Sequence, residues 1–451
     1  MLPDQADEGC GPSTSEEDLG SISAERGRPA LPHQIAWTLA GNLSYAVAQW
    51  GMLVVLAKTV SPAGVGQFGL GLAIATPVLM LSNFQLRSLQ ATRASSEFHF
   101  ADYLGFRLLS SGMALLVILA IALLSGYAAA TAAVVIAVGF AKCVESVADT
   151  LYGHLQSGER MDRIAVSMVM KGLMSLIALS VAMWISHNVL VGVLALALAW
   201  LAVLLAYDFP AVAKASRYRE PSQKPGSSSG RVGLSPRWGW PGVLQIGRLG
   251  LPLAIASLFL ALASSVPRYF VEHWQGEEAL GYFTALAYPT AAFSILLSAF
   301  GQAATPRMAM FYRTNRREYR RVVLMLGAVP VVTAAIAIAV LVAIGPVALG
   351  WLYRSDYAQF FPVLLILLGA GTAWSLASVL GYAATASGRL AGQAPVSGVV
   401  LATTLVASVV VIPSGGLIGA ALVIFIGGAT AFVSYLVLLL GKGNPGYVTV
   451  P

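Results

Sequence analysis

Residues 214–248 separate two long apolar halves of the chain and read KASRYREPSQKPGSSSGRVGLSPRWGWPGVLQIGR. It holds seven Lys or Arg residues, a single acid at Glu220, and a run of serines between glycines. Because such a composition cannot bury apolar surface, it predicts a solvated and flexible segment. About 200 residues that are almost wholly apolar lie on each side of it. We therefore predict two membrane-embedded halves joined by one basic linker.

The composition of the whole chain supports a membrane protein. Hydrophobic residues make up 57% and charged residues 10%, and the mean hydropathy is +0.76. Soluble domains carry about 25% charged residues, so a soluble protein of 451 residues would need a charged surface that this chain lacks. The two cysteines, Cys10 and Cys143, imply no disulfide framework.

The hydropathy pattern predicts an all-α, polytopic membrane protein with twelve transmembrane helices. Each apolar segment is close to the ~20 residues that cross a bilayer as a helix, the structure that satisfies its own backbone groups in lipid. The segments lie at 35–57, 65–92, 104–124, 129–151, 164–185, 189–209, 249–271, 282–304, 322–344, 359–384, 393–412 and 415–440.

We divide the chain accordingly into an acidic disordered tail (1–33), an N-lobe (34–210), the basic linker (211–248), a C-lobe (249–441) and a second tail (442–451). The first tail has no basic region followed by an apolar run, so it is not a signal peptide.

The loop charges predict the orientation. Basic residues follow the even-numbered segments, at Arg93, Arg160, Arg163, the linker, Arg307 to Arg321, and Arg389. The loops after the odd-numbered segments carry only Lys58, Arg268 and Arg354. The positive-inside rule then places both termini and the linker in the cytoplasm of a bacterial inner membrane. The outer loops are short, so no outer domain can hold an active site.

The two halves show internal similarity. The stretches 61–68 (SPAGVGQF) and 276–283 (GEEALGYF) share Gly-x-Phe at an offset of 215. A second match has an offset of 230 and aligns Tyr152, Ser157, Gly158, Val166 and Ser167 with Tyr382, Ser387, Gly388, Val396 and Ser397. Six helices per half is an even number, so we predict two parallel lobes related by an axis along the membrane normal.

Several of these stretches resemble a known family. They are the turn at 61–68, the amphipathic FHFADYLGFR at 98–107, the loop QSGERMD at 156–162, PRY at 267–269 and LGYF at 280–283. Together with the six-plus-six pattern they resemble the multidrug/oligosaccharidyl-lipid/polysaccharide exporter superfamily, and its polysaccharide flippase branch in detail. The resemblance covers residues 35–440 and implies a V-shaped, two-lobed carrier that moves a lipid-linked glycan between leaflets.

Charged residues inside apolar segments are the candidate site residues, because each costs about 2.5–3.5 kcal/mol at a helix centre unless it faces a cavity or a partner. Arg87 and Arg93 could hold phosphate oxygens or extend to the inner headgroups. Arg268 lies near an outer helix end, against the positive-inside trend, which favours a cavity role. Arg307 occupies nearly the place of Arg93 at offset 215, with contact to headgroups as its alternative.

A stripe on segment 4 is the candidate for cation coupling. Lys142, Glu145, Asp149 and Tyr152 are spaced by 3, 4 and 3 residues and share one helix face. Two carboxylates a turn apart in low dielectric disfavour joint ionisation, and Lys142 can pair with one of them. The other is then the candidate carrier of a proton or sodium ion. The alternative is a static pair that holds helices together.

The ionisable stripe occurs in the first half alone, which favours a role in cation coupling over a purely structural role. At offset 230 the stripe corresponds to Thr372, Ser375 and Val379, which do not ionise. Lys171 on segment 5 could reach the stripe, the cavity or another helix. Asn42 and Gln49 are polar cavity candidates, with hydrogen bonding between helices as the alternative.

Other chemistry lacks support in the sequence. No phosphate-binding glycine loop and no Gly-x-Ser-x-Gly is present, and no histidine pairs with a cysteine at metal spacing, so we expect no cofactor, no metal and no catalysis. The arginine run 313–321 beside a membrane helix predicts contact with anionic lipid rather than with nucleic acid.

The favoured function is a flippase for a polyprenyl-diphosphate-linked oligosaccharide. One rival is a cation-coupled multidrug exporter of the same fold, which would prefer an acidic and aromatic cavity. The other is a membrane glycosyltransferase or polymerase, which would need a long outer loop. We expect a functional monomer whose partners are the glycan lipid, a proton or sodium ion, a polysaccharide polymerase and glycosyltransferases.

Overall fold

The structure, a computed structural model, describes residues 31–91, 98–217, 235–389 and 392–441. Within those ranges every regular element is helical and no strand occurs, as the sequence predicts. Both predicted tails beyond these limits, the middle of the linker (218–234) and Arg93 lie outside the described residues.

The described part of the N-lobe contains eight helices, two of them short. They are α1 (Leu31–Thr59), α2 (Pro62–Ser82), α3 (Leu86–Ala91), α4 (Phe100–Leu124), α5 (Ala129–Ser157), α6 (Met161–Ser186), α7 (Val189–Val203) and α8 (Phe209–Arg217). A π-helical turn, Leu204–Asp208, joins α7 to α8.

The described part of the C-lobe contains four helices, and the two longest are each interrupted by a glycine. They are α9 (Trp240–Thr314), α10 (Arg316–Leu352), α11 (Phe361–Ala386) and α12 (Gln393–Leu440), with a 3₁₀ turn, Ser355–Phe360, before α11. Gly276 interrupts α9 with φ 82°, and Gly416 interrupts α12 with φ 58°. We call the parts α9a (240–275), α9b (277–314), α12a (393–415) and α12b (417–440).

The described residues contain 10 helices that are long and apolar enough to cross a membrane. The chain is therefore a multi-pass membrane protein. The two glycine interruptions fall where the sequence predicts segment ends, but the count of twelve spans stays a prediction.

Two predicted boundaries differ from the structure. Segment 2 was expected to run unbroken over 65–92, but it stops at Ser82 and resumes as α3 at Leu86. The basic stretch was expected to be flexible over 214–248, but α8 and the start of α9 cover both of its ends. Pro241 suits the second of these helices, since proline fits a first turn whose N–H groups have no partners within the helix.

The two lobes meet mainly where α2 packs against α9, beginning at the end of the bundle that the loop charges predict to be outer. There the carboxylate of Glu277 accepts hydrogen bonds from Thr131 (2.5 Å) and Gln67 (3.1 Å) of the N-lobe. One turn farther along, Gly69 lies against Thr284 so closely that a Cβ on the glycine would overlap the threonine hydroxyl. Polar bonds and close backbone approach thus hold the outer ends of the lobes together.

The turns that follow α5 and α11 have the same hydrogen-bond pattern. The N–H of Arg160 donates to the carbonyl of Leu155 (2.9 Å), and the N–H of Arg389 donates to that of Ala384 (3.0 Å). Glu159 and Gly388 hold the left-handed position in each turn. By hydrogen bonds the two turns correspond at an offset of 229, whereas the shared residue types give 230. The difference arises because the left-handed residue of the first turn is Glu159, one position after Gly158, whereas that of the second turn is Gly388 itself.

Candidate functional site

A hydrogen-bonded ion pair lies on the face of the N-lobe that is turned toward the C-lobe. Lys142 donates to Glu145 at 2.7 Å one turn along α5, and the hydroxyl of Tyr45 on α1 donates to the other carboxylate oxygen at 2.5 Å. The ammonium also lies 5.4 Å from the centre of the Trp200 ring on α7. About a quarter of each charged side chain remains exposed, at 25% for Lys142 and 30% for Glu145, so the pair is within reach of a ligand.

The C-lobe completes this cluster. The hydroxyl of Tyr288 on α9b donates to Gln49 on α1 at 3.0 Å, one turn from Tyr45, and so links the lobes. Arg268 on α9a interacts electrostatically with Tyr288. Its Nε is buried and has no hydrogen-bond acceptor, and no carboxylate pairs with it among the described residues. We name Tyr45, Gln49, Lys142, Glu145, Arg268 and Tyr288 the central cluster.

The charges of the central cluster are unequal. It holds two cations and a single carboxylate, and that carboxylate is already paired with Lys142. A buried cation without an anion is costly in low dielectric. The arrangement therefore favours an anionic ligand that reaches Arg268.

A second ion pair lies between α3 and α5. Arg87 donates to Asp149 at 3.1 Å and to Gln156 at 2.8 Å, and its guanidinium lies 5.9 Å from the ring centre of Tyr152. The stripe pattern predicted that Lys142 pairs with one carboxylate and leaves the other as the candidate cation carrier, with Asp149 bonded to a serine or tyrosine as the alternative. The structure adds a partner that neither alternative included, because the break in α2 turns α3 so that Arg87 reaches Asp149.

Lys171 is buried away from the central cluster. It forms an ion pair with Asp208 at 3.1 Å and donates to Tyr152 at 2.8 Å, and its side chain is 3% exposed. Ser167 donates to the same aspartate at 2.5 Å. The π-helical turn carries Asp208 into this position. Of the alternatives open for Lys171, the structure favours pairing between helices, so we leave it out of the proposed site.

The remaining predicted residues are not brought together. Arg307 is exposed on α9b, and Asn42 donates to the carbonyl of Thr38 within its own helix at 2.8 Å. Of the two polar candidates on α1, only Gln49 joins the central cluster. In the described part of the chain no group of His, Cys, Asp and Glu residues could hold a metal ion.

Sequence reasoning missed three members of this region. Tyr45 lies four residues before Gln49, so helical spacing could have identified it, whereas Tyr288 gives no sequence signal. Arg107 is the third and is 0% exposed. It lies at the end of the amphipathic stretch 98–107, where an arginine leading into an apolar segment is the sequence signal that could have identified it.

Comparison with known proteins supports the same class of fold. Residues 32–312 match the profile of a family described as polysaccharide biosynthesis protein. A similar curated protein is the capsular polysaccharide biosynthesis protein CapF of Staphylococcus aureus, 22% identical over 403 residues that cover 88% of this chain and 96% of CapF.

Solved structures with a similar fold are transporters. The lipid II flippase MurJ in an inward closed conformation aligns with a TM-score of 0.64 at 11% identity, over 89% of this chain and 87% of MurJ. A multidrug resistance transporter of the MATE family in an inward-facing conformation aligns with a TM-score of 0.62 at 14% identity, over 89% of this chain and 94% of the transporter. At these identities the likeness concerns the fold.

The family profile covers more than half of the chain, and the fold agrees with the resemblance that the sequence motifs carry. The chain belongs to the family described as polysaccharide biosynthesis protein.

Proposed function

We propose that this protein moves a polyprenyl-diphosphate-linked oligosaccharide from the inner to the outer leaflet of a bacterial cytoplasmic membrane, for surface polysaccharide assembly. The observation that carries the proposal is Arg268, a half-buried arginine whose Nε is buried without a hydrogen-bond acceptor and which has no acidic partner among the described residues. A guanidinium offers two parallel donors, which suit a phosphate.

The chemistry of such a substrate matches the groups in the central cluster. The diphosphate needs cations, which Arg268 and Lys142 would supply. The sugars need hydrogen-bonding partners, for which Tyr45, Gln49 and Tyr288 are suited. The polyprenyl tail can stay in the bilayer through a lateral opening, and rocking of the lobes would carry the headgroup across by alternating access.

Arg87 would form a second anion contact nearer the cytoplasmic mouth. It already pairs with Asp149, so a phosphate there would have to share or replace that carboxylate. We further propose that Glu145 or Asp149 binds the proton or sodium ion whose release resets the carrier. The protein would change no covalent bond of its substrate. Glycosyltransferases would supply the substrate and a polymerase would consume it.

The multidrug exporter is the second candidate function. Aromatic rings that a cationic drug would need are present at Tyr45 and Tyr288 in the central cluster and at Trp200 beside Lys142. Its two cations against one paired carboxylate would repel such a drug, which favours the anionic substrate. A glycosyltransferase or polymerase is less favoured, since the predicted outer loops are too short for a catalytic domain.

Reconstitution into liposomes tests the proposal. Purified protein should move a fluorescent polyprenyl-diphosphate glycan between leaflets, and a cationic dye should not follow it. Arg268→Ala should reduce the rate about 10- to 100-fold, the range expected for losing hydrogen bonds to a charged group. Arg268→Lys should recover part of the rate, since lysine offers a point charge rather than a fork.

The control variant is Arg320→Ala, which removes an exposed arginine outside the central cluster. Equal amounts of folded protein should be confirmed by size-exclusion chromatography in detergent. Normal glycan movement by Arg268→Ala would overturn the site. Movement of the dye without movement of the glycan would favour the exporter.

A further inference from the structure

The chain between α2 and α3 adopts a backbone conformation that residues other than glycine rarely adopt. Helix α2 ends at Ser82, and Phe84 (φ 46°) and Gln85 (φ 49°) both occupy the left-handed region before α3 begins at Leu86. Two consecutive non-glycine residues in this region are costly, so the surrounding structure must hold them there.

Arg107 on α4 holds this break. Its guanidinium donates to the side-chain oxygen of Asn83 at 2.6 Å and to the carbonyls of Asn83 and Ser82 at 3.3 and 3.4 Å. The same group donates to Ser146 at 2.9 Å and to Thr150 at 2.7 Å on α5. Arg107 thus satisfies carbonyls left free at the end of α2 and joins them to α5.

No carboxylate forms a direct ion pair with Arg107 among the described residues. Asp149 acts on it through space only, because that carboxylate pairs with Arg87. A fully buried arginine whose direct partners are neutral oxygens is well suited to fix a backbone, since its planar donors point in set directions.

The break sets the direction of α3, and α3 carries contacts on both sides. Arg87 reaches Asp149 and Gln156, and Gly153 on α5 leaves no room for a side chain beneath Gln90. Facing the other lobe, Gln85 donates to Ser257 on α9a at 2.8 Å, and a Cβ on Gly250 would overlap the carbonyl of Phe84.

We propose that Arg107 is a positioning residue for the inner end of the transport path. It holds the break in α2 and thereby aims Arg87 at Asp149 and Gln85 at the C-lobe. It contacts no substrate. Its part in transport rests on the function proposed above, whereas its effect on α3 does not.

Hydrogen exchange measured by mass spectrometry on the full chain in lipid nanodiscs tests the effect on α3. Lysine keeps the charge but cannot span from Thr150 to the carbonyl of Asn83. In Arg107→Lys, the peptide covering 83–91 should therefore exchange about tenfold faster or more, as expected when hydrogen bonds to a charged group are lost. The peptide covering 62–80 should keep its protection.

Two further variants make the result specific. Asn83→Ala removes an acceptor of the same contact from the other side and should accelerate the same peptide, including when Arg107→Lys yields no folded protein. Arg163→Lys alters an arginine of the same lobe that donates to a single carbonyl, that of Ala211, and should leave 83–91 protected. Unchanged exchange at 83–91 in both test variants, or equal acceleration throughout the chain, would refute the positioning role.

A transport measurement then connects the break to the substrate path. If Arg107 acts through Arg87, the double variant Arg87→Ala with Arg107→Lys should move the glycan lipid no more slowly than Arg87→Ala alone. Additive losses would show that Arg107 does not affect transport through Arg87. The exchange result stands without any substrate, so a wrong substrate and a wrong positioning role give different outcomes.

Discussion

Gly66 on α2 and Gly281 on α9b face each other across the contact between the lobes. A Cβ on Gly66 would overlap the carbonyl oxygen of Glu277, and a Cβ on Gly281 would overlap the carbonyl oxygen of Pro62. The two contacts involve equivalent positions of the two halves. Gly281 follows Gly66 by 215 residues, and Glu277 follows Pro62 by the same number. Such reciprocal contacts are what a two-fold axis produces.

Adding one methyl group at this contact should separate the outer ends of the lobes. We expect Gly66→Ala and Gly281→Ala each to lower the stability of the folded protein by about 1–3 kcal/mol, the usual cost of overpacking. A thermal shift assay in detergent measures this. Gly112→Ala is the matched control, because a Cβ there meets nothing within 4 Å and alanine favours the helix. Equal melting temperatures for all three variants would contradict the tight contact.

The reciprocal contacts lead to a prediction about the whole fold. Residues 35–209 should superpose on 249–440 by a rotation about an axis near the membrane normal, with Gly66 placed on Gly281 and Gly158 close to Gly388. The turn geometry refines the second pair by one residue, toward Arg160 on Arg389. An experimental structure in which these pairs occupy unlike places in their lobes would exclude the duplication.

The sequence predicted helices well and their interruptions poorly. A helix that spans the lipid needs about 20 apolar residues, and segments of that length can be identified directly in the sequence. The break after Ser82 cannot be read from the sequence in this way, because no glycine or proline marks it and the left-handed residues are Phe84 and Gln85. Their conformation depends on Arg107, which lies on another helix.

The same limit applies to the site. The i, i+3 spacing of Lys142 and Glu145 predicted their ion pair, which depends on one helix alone. The partners of Asp149 and Lys171 come from other helices, so their positions depend on packing. Sequence charge alone could not tell that Lys171 is buried against Asp208 while Arg268 lacks an acidic partner among the described residues.

The predicted orientation can be tested without a structure. Reporter fusions after Val60, Ser125 and Arg354 should report the outer side, and a fusion within the linker should report the cytoplasm. The basis is the excess of arginine in the loops that follow even-numbered segments. A linker found outside would reverse the orientation, and with it the assignment of inner and outer ends to every contact above.

Amide variants of α5 test the coupling. Glu145→Gln and Asp149→Asn keep the shape of each side chain and remove its charge. If either residue carries a proton or cation, its amide variant should move glycan lipid at a rate that no longer depends on the proton or sodium gradient. The assay is transport into liposomes with and without an imposed gradient, at matched protein abundance.

The two carboxylates have different neighbours, so the two variants should differ. Glu145 belongs to the central cluster with Lys142 and Tyr45, whereas Asp149 pairs with Arg87 beside the break. Ser146 and Thr150 lie on the same helix and bind Arg107. Neither side chain titrates, so neither offers a comparison for the two carboxylates. Unchanged gradient dependence in both amide variants would make α5 structural and place the driving force elsewhere.

The contact between Gly69 and Thr284 bears on how such a chain could arise. The two positions are 215 residues apart, so in a homodimeric ancestor of the two halves the same residue would have faced itself at this point. Threonine on both sides would collide, because even one added Cβ at position 69 overlaps the hydroxyl of Thr284. Gene fusion removes that constraint: one copy can stay glycine while the other acquires a larger side chain. The threonine at 284 is therefore a residue that this contact admits only when its two sides differ in sequence, as they do within this single chain.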